Sequence, residues 1–186
     1  IISILATIGL TIWHRLPFKL SAEDQYKMLR FMCSERFINQ AISNPLEYAK
    51  KFIEKAVEIR KGKGGGRRGG FILAGLMANP DFPVPFVARK EFIKLSEKDN
   101  IRREKCFGKA FNYAFLHFDP PSRGPDKAYH FIWAVYIASE FYNWFTPFER
   151  AAKEYTSLCV ILQETRGTRE EADIYAGQMG IDYYYE

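Results

Sequence analysis

Gly64, Gly66 and Gly69 stand at the G-x-G-x-x-G spacing. That spacing lets backbone amides meet a pyrophosphate when the motif links a strand to a helix. Here the preceding residues read as a helix, and Arg67-Arg68 fill the middle of the motif. No Lys-Ser or Lys-Thr pair follows, so the phosphate loop of nucleotide hydrolases is absent too. Dinucleotide binding is not expected.

His117, Asp119 and His130 offer two imidazoles and a carboxylate, a donor set that suits a transition metal. They lack the His-Glu-x-x-His spacing of zinc hydrolases and the Glu-x-x-His spacing of di-iron helices. The simpler account is that Asp119 caps a turn beside Pro120-Pro121 and that the histidines are partly buried. Asp24, Glu47, Glu149 and Glu171 fall in first helical turns, where capping and the helix dipole account for them. Nothing local suggests an activated nucleophile. No catalytic residue, metal or cofactor is expected, and a small helical enzyme with a pocket near His117 and His130 is the weakest of three readings.

The basic residues carry more. Lys50, Lys51, Lys55, Arg60, Lys61, Lys63, Arg67 and Arg68 form a cationic stretch that ends in GKGGGRRGG. Six glycines in those nine residues predict a flexible loop over 62–70. The plainest reading is a solvated loop with no ligand; if a partner is bound, Lys61, Lys63, Arg67 and Arg68 are the expected contacts for an anionic one: lipid headgroups, an acidic protein surface or, as an alternative, RNA.

Residues 1–13, IISILATIGLTIW, hold no charge. As a helix they would extend only about 20 Å, against a hydrocarbon core of about 30 Å. Trp13, His14, Arg15 and Lys19 follow in the order in which a membrane helix leaves lipid on its positive face. Residues 1–18 therefore read as the end of a membrane helix, with a buried N-terminal helix or a partner-docking arm as the alternative; on the membrane reading, residues 20–186 form a single domain on the cytosolic, matrix or stromal side.

The elements that must position these residues are helical. Ser21 with Asp24, Asn44-Pro45 with Glu47, Ser96 with Asp99, and Thr146-Pro147 with Glu149 all look like helix starts. Tyr26, Leu29, Cys33, Phe37 and Ala41 share one face at helical spacing and predict one continuous helix. Residues 71–78 are the one strand-like run, which would have no partner, and Gly180 is expected to end the last helix. The fold expected is all-α: an irregular bundle of about six helices with an apolar N-terminal helix and a Gly-rich basic loop.

The bulk numbers agree with this picture. The chain has 186 residues with 47% hydrophobic and 26% charged side chains, so it is neither disordered nor fibrous. The net charge of +5 is uneven: residues 1–95 carry 16 basic and 8 acidic side chains, and residues 96–186 carry 11 and 14. Only the first half suits an anionic surface. Cys33, Cys106 and Cys159 form no C-x-x-C pair and read as three buried thiols. Aromatic residues reach 16%, and Trp133, Tyr136 and Trp144 are expected to pack against a partner. The leading reading is a non-catalytic, membrane-associated accessory subunit of a larger protein complex. An organellar inner membrane, such as the mitochondrial one with the body in the matrix, is the location it fits. A basic RNA-binding or ribosome-associated protein is the second reading.

Overall fold

The computed structural model describes residues 20–79, 94–112, 125–145, 153–154, 156–158 and 171–186, leaving aside the side chains of 141 and 143–145. Seven helices are defined there: α1 (Ala22–Met32), α2 (Glu35–Ser43), α3 (Pro45–Arg60), α4 (Gly66–Ala78), α5 (Glu97–Phe111), α6 (Asp126–Phe145) and α7 (Glu171–Tyr185). No strand occurs among the described residues.

Local chemistry sets the helix starts. Ser21 Oγ accepts from the amide of Asp24 at 3.1 Å, and Ser96 Oγ accepts from that of Asp99 at 3.2 Å. Each satisfies an amide that the first turn leaves without a helical acceptor. Pro45 opens α3 as expected, although the Asn44 side chain makes no cap bond. The single helix expected over 21–41 is instead two. Ser34 interrupts it, accepting from the Phe37 amide at 3.3 Å while its own hydroxyl donates to the Phe31 carbonyl at 2.8 Å. A serine that can bond its own backbone neighbours competes with helix continuation.

The largest correction concerns glycine. The segment expected as a loop over 62–70 is a tight turn only to Gly65, and α4 begins at Gly66. The run 71–78 is the interior of that helix, and all of it is buried. Gly70 explains why glycine is used there. A Cβ built on Gly70 would lie 2.5 Å from the Cα of Val57, so its absence lets α3 and α4 touch backbone to backbone. The unfavourable helix propensity of glycine is offset by that close packing. Gly180 likewise does not end α7; the helix runs on to Tyr185, and the glycine is where α7 meets α6.

Two aromatic clusters fill the core. Phe37, Phe52, Phe107 and Phe111 bring α2, α3 and α5 together, with Phe107 and Phe111 centroids 4.8 Å apart and Phe52 and Phe107 5.7 Å apart. Phe131, Tyr183, Phe71 and Tyr184 join α6 and α4 to α7, at 5.7 Å and 5.9 Å. Tilted and edge-on rings at these distances contribute about 0.5–1.5 kcal/mol per pair beyond burial. Arg103, 1% exposed, ties the two halves. Its Nη1 donates to the carbonyls of Met77 and Ala78 at 3.2 and 3.3 Å, which caps the C-terminus of α4 with a buried cation.

Cys33 and Cys106 form a disulfide between the end of α1 and α5. This corrects the expectation of three free thiols for that pair. Neither cysteine has a nearby second cysteine in sequence, and only the packing of α1 and α2 on α5 brings them together across 73 residues. Cys159 lies outside the described residues, as do the expected helix starts near 146 and 168.

Candidate functional site

One end of the bundle concentrates the cations. Asp24, fully buried in the first turn of α1, receives Arg60 Nη1 at 2.7 Å from the last turn of α3 and also the ammonium of Lys63. Arg60 Nη2 reaches on to the Gly64 carbonyl. Burial alone would raise the pKa of Asp24. Hydrogen bonds from Lys63, Arg60 and Ser21 outweigh it and hold the carboxyl below its ordinary range. The turn between α3 and α4 is thereby stapled to the point where residue 20 enters the fold. Gly65 closes that turn at φ 87°, a left-handed conformation that suits glycine.

The four expected anion contacts then separate. Lys61 and Arg67 are exposed and form no ion pair among the described residues. The Arg67 guanidinium lies 5.5 Å over the Phe71 ring and 5.4 Å over that of Tyr184. Lys63 is half spent on Asp24. Arg68 turns inward, its Nε donating to Glu140 Oε1 on α6 at 2.8 Å. Arg67 and Arg68 diverge because they start a helix, where adjacent residues point about 100° apart. Burial pushes the Glu140 carboxyl up to about 7, against the pull of Arg68. Tyr136, one turn earlier and fully buried, is raised by the same burial and by the Glu140 charge.

Next to Lys61 and Arg67 runs an open groove of about 310 Å³, floored by Val57, Phe71 and Tyr183. Its two acids are engaged: Glu54 Oε1 accepts from the Tyr183 hydroxyl at 3.4 Å, and Glu58 accepts from Lys55 at 2.8 Å.

His130 enters a different cluster from the one expected. Its Nε2 is 3.4 Å from Asp126 and 3.6 Å from Asp173, and one donor atom from each of the three falls within 4.8 Å of the others. Three such donors suit a divalent cation, but the buried ammonium of Lys127 is already placed there. It lies 3.1 Å from Asp126 Oδ2 and in contact with Asp173 Oδ1. Hydrogen bonding from His130 holds the Asp126 carboxyl down at about 2. The cluster is an internal ionic tie between the starts of α6 and α7.

Trp133 and Tyr136 do not face a partner. They are 5% and 0% exposed within this chain's own core, because α6 lies between α4 and α7 and is covered around most of its circumference. Trp144 belongs to the last turn of α6, and its side chain is not described. Trp13, His14, Arg15, Lys19, His117 and Asp119 lie outside the described residues. Sequence patterns assign Asp24 and Glu140 no site role, because a buried ion pair between residues 36 or 72 apart leaves no local signal. Among the described residues no helix is long and apolar enough to cross a membrane. No family model matches the chain, nor does any curated protein or solved structure compared with it.

Proposed function

We propose that the chain is a non-catalytic, membrane-associated accessory subunit of a larger assembly, seated with its basic end on an anionic surface. The observation that carries this reading is a juxtaposition. Leu20 is buried, and Asp24 binds Arg60 and Lys63. Leu20, where the described residues begin, is therefore followed within one helical turn by the residue that Arg60 and Lys63 bind, and in sequence it comes after the uncharged stretch 1–13 and the cations Arg15 and Lys19. An apolar segment and a cationic surface in one chain would reinforce each other, since a single weak anchor gives only reversible membrane binding.

The disulfide bears on location. Disulfides persist in oxidising compartments and are rare where glutathione keeps thiols reduced. Cys33–Cys106 therefore argues against a body on the cytosolic, matrix or stromal side alike, and the membrane reading is carried forward without those placements.

Flotation of the full chain on vesicles tests the proposal. The chain is expected to rise with vesicles containing phosphatidylserine, to rise less with pure phosphatidylcholine, and to resist carbonate extraction. Recovery as a soluble monomer in every arm would overturn it.

A further inference from the structure

We propose that the groove between α3, α4 and the end of α7 holds the headgroup phosphate of an acidic glycerophospholipid. Its glycerol and first acyl carbons would lie against Val57 and the parts of the Phe71 and Tyr183 side chains that the cations leave uncovered. The inference rests on the membrane reading above and adds a discrete ligand site to it.

Charge complementarity selects the ligand. Around the groove Glu58 is paired with Lys55, while Glu54 accepts from the neutral Tyr183 hydroxyl and keeps its charge, which Lys61, Arg67 and the neighbouring Lys50 together outnumber. Lys61 and Arg67 have no ion-pair partner among the described residues. The site presents more cations than acids beside an apolar lining, and an anion with an apolar stem complements it. Arg67 is already held in place over Phe71 and Tyr184, so little side-chain freedom is lost when its edge donates to a phosphate. The groove of about 310 Å³ suits a headgroup and the start of its chains rather than a whole lipid, and it opens to solvent as a lipid reached from a bilayer requires.

Nucleic acid fits less well. A strand needs cations repeated along its path and open ring faces for its bases. Here Arg67 lies over Phe71 and Tyr184 and Lys50 over Tyr183, so these rings are not open for bases to stack on.

The test is calorimetric titration of the full chain with dihexanoyl phosphatidic acid below its micelle concentration, and in parallel with inorganic phosphate. Saturable binding of the lipid, tighter than that of inorganic phosphate, is expected. The double variant Lys61→Gln/Arg67→Gln should bind about a hundredfold more weakly, as each charge-assisted hydrogen bond to the phosphate contributes about tenfold. Both residues are on the surface, and an unchanged circular dichroism spectrum certifies the fold. Lys105→Gln, on the exposed side of α5, should bind as the parent does. Absence of saturation, equal binding of inorganic phosphate, or undiminished binding by the double variant would each overturn the site. Because the probe is monomeric, these outcomes are separate from flotation. Abolished binding with intact flotation removes the groove alone, and abolished flotation with intact binding removes only the membrane reading.

Discussion

Asp24→Ala will cost the fold about 3–5 kcal/mol, measured as a lowered urea midpoint, because it leaves a buried guanidinium without its carboxylate. Arg60 is 3% exposed and Asp24 is fully buried, so water cannot replace the missing partner. Arg60 keeps the Gly64 carbonyl, but a carbonyl does not neutralise its charge. The exposed neighbour Glu23, paired with Lys27 at 2.5 Å across one turn, is the control and should change little on replacement by alanine. The pH dependence has a definite sign. The Asp24 carboxyl is depressed in the fold relative to the unfolded chain. Its contribution is therefore complete above the ordinary value of 3.8 and is lost as pH falls below it. The alanine variant should lose that part of the acid sensitivity.

Gly180→Ala is the second large effect, about 2–4 kcal/mol of destabilisation in thermal or urea unfolding, the usual range for steric overpacking of a core contact or somewhat above it. The added Cβ would lie 2.4 Å from the Phe131 carbonyl oxygen and 3.1 Å from the Ala134 Cβ. The first neighbour is backbone in the middle of α6, so α7 as a whole must move. Gly108→Ala is the matched contrast. It also lies inside a helix, α5, yet nothing stands within 4 Å of its new methyl. It should stabilise by up to about 1 kcal/mol through helix propensity. If both substitutions behave alike, close packing is not the reason for Gly180.

These two predictions mark where the fold was legible in the sequence. Helix starts at Ser21, Pro45 and Ser96 were legible because a cap is a contact between residues three apart, and the aromatic and aliphatic stripes of α3 and α5 follow from period alone. The glycines of α4 and α7 were not. Glycine weakens an isolated helix, and only the approach of α3 to α4 at Gly70, or α6 to α7 at Gly180, turns that weakness into a packing advantage. The aromatic excess was visible, but its direction was not. Trp133 and Tyr136 became core once α4 and α7 closed over α6. The Cys33–Cys106 bond, the Asp24–Arg60 pair and the Arg68–Glu140 pair share one property, a separation of tens of residues that only tertiary packing collapses. At the candidate site, the sequence marked all four cations of the turn. Which of them point outward followed from the start of α4 at Gly66.

If the turn between α3 and α4 meets an anionic lipid surface, its backbone amides will exchange more slowly on vesicles. Hydrogen exchange on the full chain, with and without phosphatidylserine vesicles, addresses it directly. Slower exchange is predicted over residues 60–68, with no change at residues 43, 44 and 46 or at 77–79, the opposite ends of the same two helices. Protection at those opposite ends instead, or at neither, would contradict the account.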